Sequence, residues 1–507
     1  AGRHASRERR QQRGASAAVL AQDLCLVTVE QALPAEMVDR GLDEGARVDV
    51  GQVLGDFQAV DQFRGGHDPA EAQSGEQDLG ECPDIDDEPR DIERLERRRR
   101  LGAGARPSDM SPFMPGPSCH AGPQAIVNVQ CPGDTNGDGV SDTPGIECRH
   151  LSGGDGFIRM ADGRAGLYIF GFSNLTGRPI AESLSWGTLA AQFAAPTLYF
   201  KEGDKVYLTL SNAGTVMRPD LFDPHSVHWH GFPNAGSVYD GEPEASISIN
   251  PSSSLTYYYE PVEVGTFMYH CHVEAAEHMQ MGMLGNLYVL PKQNDLPNGT
   301  LLGTHQHQTG NKYVYNDGDG STRYDVEFPL QIGSMDPVFH DLHLGVQPLP
   351  FANLLDTYPM LNGRGYPDTV NNSPTGLPAP EEKVAANYRS ANVTSNPQSS
   401  LIQAQAGQKI LLRISNLNIT TFNSLSAMGL PMKVVGTGAH ILKGPNGLPA
   451  YYDTNSVTLG GGEAMDVIID TTGVPAGTYF LYSTNLNYLS NNTEDFGGMM
   501  TEIHITL

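Results

Sequence analysis

An all-β fold of two Greek-key sandwiches or barrels is predicted by three observations. Short β-branched or aromatic runs recur from about position 163, separated by Gly, Pro, Asn and Asp. A second set of such runs follows a polar connection, and 507 residues suffice for two or three domains with a substantial core. Spaced short strands of this kind pair as antiparallel sandwiches or barrels. The first set comprises Gly166–Phe172, Thr197–Phe200, Lys205–Leu210, Ser246–Ile249, Leu255–Tyr259, Gly265–Tyr269 and Gly285–Leu290. The second comprises Val326–Ile332, Lys409–Ile414, Lys433–Val435, Ser456–Leu459, Met465–Ile469, Gly477–Tyr482 and Met500–Ile505. Residues 293–323 form the connection, and the Ser, Asn, Pro and Ala stretch over 371–400 reads as a surface excursion.

Residues 1–110 do not share this rhythm. They mix Arg, Glu, Asp, Gln, Gly and Ala without alternation, end in the charge run Arg97–Arg100, and carry no methionine at position 1. Such composition predicts a disordered extension, or else upstream sequence preceding a start near Met110. Nothing in it has the form of a signal peptide. Residues 111–162 are loop-rich and hold Asp134, Asn136, Asp138 and Asp142 around glycines. That spacing suits either a calcium loop or an Asp/Asn/Gly turn cluster, and Gly145 stands where a calcium-binding Glu is expected. Cys131 and Cys148 bracket the loop and suit a disulfide, with Cys119 spare. A disulfide in turn suits an oxidising, exported environment.

Against 59 acidic residues stand 32 basic ones, a formal charge of −27. This argues against nucleic acid and anionic membrane as partners and favours cationic substrates or metal ions. No apolar run reaches the length of a membrane span.

Two short segments carry the chemistry. The first contains His225, His228 and His230; the second contains His270, Cys271 and His272 and runs on to His278 and Met283. Imidazole, thiolate and thioether donors together suit copper better than magnesium or calcium. Zinc is a rival, but structural zinc sites favour compact four-ligand spacings and need no methionine. If both segments are strands, side chains alternate faces. His225 and Cys271 then face one way and, with His278 and Met283, make a blue-copper set, with Met281 a rival for the axial position. His228, His230, His270 and His272 face the other way as an all-imidazole set suited to oxygen-binding copper. Cys271 is covalently flanked by two members of that second set, a short route for an electron.

These residues resemble the patterns of multicopper oxidases, H-x-x-H-x-H-G at His225, His228, His230 and Gly231, and H-C-H followed by H-x(4)-M at His270–His272, His278 and Met283. The interval from Cys271 to His278 is two residues longer than in common laccases. The resemblance implies a copper-binding cupredoxin domain over 163–292 and a second cupredoxin domain over 324–507. It also implies a periplasmic or extracellular location. The second domain departs from the pattern: Met428–Met432 has no histidine and Asn492–Met500 neither histidine nor cysteine where copper motifs would stand. The family's oxygen-reducing cluster uses eight histidines, and the motifs here supply four.

The remainder must come from His305 and His307, from His340 and His343, from a partner protein, or from a neighbouring subunit. The last arrangement occurs in copper nitrite reductases, which this two-domain layout also resembles and which imply a homotrimer. The implied function is a copper oxidoreductase. A small molecule, metal ion or redox protein donates electrons to the blue site, Cys271 relays them, and oxygen is reduced at the imidazole set. Nitrite reduction and non-catalytic electron transfer are the alternatives. Asp223 and Glu274 are candidates for proton delivery or substrate docking.

Overall fold

The computed structural model describes residues 127–233, 235–345, 348–374, 376–378, 380 and 395–507. The expectations for residues 1–110 and for Cys119 lie outside the described residues.

The first domain is a sandwich of two four-stranded sheets. One sheet has the order β2 (Leu167–Asn174), β1 (Ile146–Ile158), β4 (Lys205–Gly214), β6 (Ser254–Tyr259). The other has the order β3 (Leu198–Lys201), β8 (Leu284–Leu290), β7 (Gly265–His270), β5 (His228–His230). Pairing is antiparallel except for β1 with β4 and β3 with β8. Between the sheets lie Phe157, Phe170, Leu208, Leu210, Tyr257, Tyr269 and Leu287, all buried, while Trp229 stacks on Tyr259 at 3.8 Å. Aromatic and aliphatic burial of this kind supplies the main driving force for the sandwich.

Two expectations need correcting here. The segment 111–162, expected to be loop-rich throughout, contains the 13-residue strand β1, which is paired on both sides. Its glycines made it look like a loop, yet Gly154 and Gly156 admit close neighbours: a Cβ on Gly154 would lie 2.9 Å from the Gly214 carbonyl oxygen. Ser246–Ile249 forms no strand, only an isolated bridge between Ile249 and His225. The disulfide between Cys131 and Cys148 is present. In the loop it closes, Asp134 accepts from the amides of Asn136, Gly137 and Gly139, Asp138 accepts from Val140, and Asp142 accepts from Thr135. These carboxylates thus serve as turn acceptors for the backbone.

The second domain repeats the sandwich. One sheet runs Tyr358–Leu361, Val326–Met335, Lys409–Asn416, Glu463–Asp470, Met432–Thr437, His440–Ile441, with Tyr452–Thr454 paired to Met432–Thr437. The facing sheet runs Ile402–Gln405, Met500–Thr506, Gly477–Ser483, Asn423–Ala427, Ser456–Leu459. The connection contributes two short pairs, Leu301–Leu302 with His305–Gln306 and Lys312–Tyr313 with Arg323–Tyr324.

A buried charge cluster joins the domains. Arg413 is ion-paired with Glu327, lies 3.3 Å from Asp466 and stacks over the Tyr288 ring. Asp466 also accepts from Thr266 on β7 at 2.6 Å and from Tyr315. The strand that ends in His270 is therefore pinned to the second domain by a hydrogen-bonded carboxylate. Removing the guanidinium strands the buried Asp466 carboxylate and leaves the half-buried Glu327 without its partner, so Arg413→Ala is expected to destabilise the protein by about 3–5 kcal/mol. Urea titration of the two proteins checks this.

Candidate metal centre

The thiolate site is built where β7 ends. Cys271 directly follows β7, is fully buried, and its amide donates to the Met283 carbonyl at 3.1 Å. Between them the chain turns through Glu274 in the left-handed region and forms the helix α1, Ala275–Met281. This helix takes up the longer interval between Cys271 and His278. Gly282, at φ 114°, ends α1; a Cβ there would lie 2.9 Å from the Phe170 carbonyl oxygen, so glycine is required. One helical turn thus separates His278 from Met283, whose amide returns to the His278 carbonyl. The spacing of the two residues follows from that turn.

His225, Cys271 and His278 bring ligand atoms within 4.8 Å of one another, all three buried. His278 Nδ1 lies 3.1 Å from Cys271 Sγ, and the Ser226 amide donates to the same sulfur at 3.4 Å. His225 is held by the paired bridge to Ile249. Met283 closes the set: a Cβ placed on Gly153 of β1 would meet His225 Cδ2 at 3.0 Å and Met283 Cε at 3.2 Å, so both side chains line the same wall. Gly153 is a site residue missed in the sequence because β1 was missed. Gly153→Val is expected to push these two side chains aside and to cost about 1–3 kcal/mol by overpacking; blue absorption after copper loading, together with thermal unfolding, checks it.

Burial pushes the Cys271 thiol up, but the adjacent His278 and His225 rings together outweigh it and hold the thiol down to about 6. Both ring nitrogens of His225 are buried without a hydrogen-bond partner, and His278 turns Nδ1 to the Cys271 sulfur while its Nε2 lies 3.1 Å from Asp223. Orphaned buried nitrogens beside a thiol that readily ionises are what a soft or borderline metal ion would satisfy. The residues present fit copper.

The imidazole site lies on the other side of β5 and β7. Register places His228 opposite His270 and His230 opposite Met268. His228, His230 and His270 bring ligand atoms within 4.8 Å, and the His272 ring centre is 5.1 Å from that of His228 and 5.5 Å from that of His270. His228 Nδ1 faces the Asp240 carbonyl at 2.7 Å and His270 Nδ1 the Cys271 carbonyl at 2.8 Å, which leaves each Nε2 with a lone pair. Burial, reinforced by its imidazole neighbours, holds His270 down to about 3, so it is neutral. Its Nε2 lies 3.2 Å from His230 Nδ1, within hydrogen-bond distance, and the two nitrogens are close enough that one cation would be shared between them. These rings also fit copper.

A cavity of about 530 Å³ opens in front of the four histidines. Its opposite wall is Leu417–Phe422, Gly461 and Gly462 of the second domain. Gly462 approaches so closely that a Cβ on it would lie 2.7 Å from His230 Nε2. Glu242 lines the same cavity, 3.7 Å from His272 Nε2, and was not singled out from the sequence.

The other candidate histidines do not join this cluster. His307 Nδ1 meets the Tyr313 hydroxyl, and His305 lies in the hairpin of the connection. His340 and His343 sit on a second helix, α2 (Pro337–His343). They brace the thiolate side: His340 faces the Tyr168 and Gln280 carbonyls, and His343 lies 2.7 Å from Glu277. Of the two carboxylates singled out, Asp223 is buried against the imidazoles of the thiolate site, whereas Glu274 is the exposed left-handed residue preceding α1.

Two sandwiches, one carrying a thiolate and imidazole pocket joined through a single residue to an imidazole cluster, define a cupredoxin-type redox protein. Two multicopper oxidase family models match, over residues 180–294 and 359–503, together just over half of the chain. The chain belongs to the multicopper oxidase family. It is similar to Multicopper oxidase MmcO of Mycobacterium tuberculosis, 24% identical over 59% of this chain and 49% of that protein. It is 34% identical to Multicopper oxidase MCE of Talaromyces pinophilus over 20% of this chain and 16% of that protein. With L-ascorbate oxidase of Nicotiana tabacum it shares 24% identity over 62% of this chain and 50% of that protein. The chain spans half or less of the length of these relatives. Among solved structures, the blue copper oxidase of Nitrosomonas europaea aligns with a TM-score of 0.49 and 21% identity, covering 70% of this chain and 85% of that one.

Proposed function

We propose that this chain is a copper-dependent oxidase with a blue site at His225, Cys271, His278 and Met283 and an oxygen-reducing site that includes His228, His230, His270 and His272. The single observation that carries this is covalent: the residue whose sulfur lies in the first pocket is bonded on both sides to residues whose rings line the second. Copper there supplies one-electron exchange at the thiolate and oxygen chemistry at the imidazoles. The chain's own part is to fix geometry and exclude water. Ser226 orients both segments, its amide on the Cys271 sulfur and its hydroxyl on the His272 amide at 3.1 Å. The carbonyl of Cys271 holds the His270 ring, so thiolate and imidazole are also joined by a hydrogen bond.

The cavity wall opposite the histidines contributes no imidazole among the described residues. The remaining ligands therefore belong to another subunit in this reading, with a homotrimer as the proposed assembly. An exported location accords with the disulfide. No helix among the described residues is long and apolar enough to cross a membrane.

The test is copper loading of the purified chain under reducing and then aerobic conditions. An intense blue band, more than one copper per chain, and oxygen uptake with a phenol, ferrous ion or reduced redox protein are expected. One blue copper per chain without oxygen uptake points to an electron carrier. Colourless protein that binds only zinc overturns the proposal.

A further inference from the structure

Asp223 has no part in the ligand set, yet its position is unusual for a carboxylate. It is 8% exposed, and its Oδ1 lies 3.1 Å from His278 Nε2 and 3.8 Å from His225 Nδ1. Its Oδ2 is buried without a hydrogen-bond partner. His278 thus presents Nδ1 to the Cys271 sulfur and Nε2 to this carboxylate, one ring between two anionic groups. Buried carboxylates are normally paired or fully hydrogen-bonded, because desolvation is costly. Here the nearest compensating groups are the two site imidazoles themselves. The backbone keeps the arrangement in place: Asn212 donates to the Asp223 carbonyl at 2.8 Å, and the His225–Ile249 bridge follows two residues later.

We propose that Asp223 sets the reduction potential of the blue site. It is a positioning and tuning residue that lowers the potential by placing a buried negative charge behind the His278 imidazole and beside that of His225. This rests on the copper reading above. The oxidised site carries one more positive charge than the reduced one, and a fixed anion in a medium of low polarity favours the more positive state. The carboxylate also makes the His278 ring more electron-donating, which acts in the same direction. Electrons arriving from a reductant are then held less tightly and move on more readily to the imidazole cluster.

The experiment is spectroelectrochemical titration of the blue band in copper-loaded wild type, Asp223→Asn and Asp223→Glu. In Asp223→Asn the band is expected to persist with nearly unchanged energy. Its one-electron equilibrium should shift toward the reduced form by at least about tenfold, a rise of about 59 mV. Asp223→Glu is expected to fall between the two and keeps the test usable if the Asn protein does not load copper. A blue protein whose potential is unchanged or lower in the variants overturns the inference while leaving the proposed function standing. So does a variant in which only the KM for the reductant moves. Absence of a blue band in the wild type overturns the proposed function itself.

Discussion

Cys271→Ser is expected to abolish the blue absorption completely and to reduce oxygen uptake to background, while the fold persists. A serine hydroxyl at this position keeps the volume within one atom of the original, so the buried neighbours lose little packing. What it removes is ionisable sulfur. In the wild type the His278 imidazolium and the Ser226 amide both face Sγ, and the thiol is held down to about 6 despite full burial. An alcohol is far harder to ionise in the same pocket, and the soft donor that gives a blue site its covalency is gone. The four-imidazole cavity is built from β5, β7 and the second domain and does not depend on the sulfur. Copper content is therefore expected to fall by one per chain and not to zero. Loss of all copper, or retention of the blue band, contradicts the two-site arrangement; metal analysis with visible and paramagnetic spectra distinguishes them.

Much of this was legible in the sequence because its information is local. The parity of His225 against His228 and His230, and of Cys271 against His270 and His272, needs only the alternation of extended backbone, and the structure divides the rings accordingly. The division survives although β5 spans just His228–His230 and His225 is held by a bridge. The interval from Cys271 to His278 was visible as a departure, but its absorption into α1 was not. That helix is set by Gly282 and by contact with Phe170, a residue more than a hundred positions earlier. Gly153 and Gly462 were illegible for the same reason. Each matters through what a side chain would strike far along the chain: His225 and Met283 for Gly153, His230 of the first domain for Gly462. Glu242 reaches the imidazole cavity, and Asp240 holds the His228 ring, from an irregular segment without periodicity. The His340 and His343 pair was seen, but only packing reveals that it supports α1 on the thiolate side.

His270→Gln is expected to do the converse of the cysteine variant: the blue band stays and oxygen uptake is lost. His270 is the ring on which the imidazole site turns. It pairs with His228 in register, faces His230 at 3.2 Å, and is anchored by the Cys271 carbonyl. A glutamine amide can keep the anchor but offers a weaker oxygen or nitrogen donor where Nε2 stood. Changing even an outer-shell partner of a metal site costs 10–100-fold, so loss of a ligand is expected to lower turnover by at least about 100-fold. The thiolate pocket shares no side chain with this change, since His225, His278 and Met283 lie on the other side of the segment. Its colour and potential should therefore remain near the wild-type values, and reductant should still bleach the band. Reoxidation by air is where the defect appears: rapid in the wild type, slow in the variant. Stopped-flow bleaching and recovery of the band measures both halves in one experiment. Equal recovery in the two proteins means that electrons leave the thiolate site by a route that avoids His270, and the chain is then an electron carrier with a histidine-lined cavity unrelated to its redox chemistry.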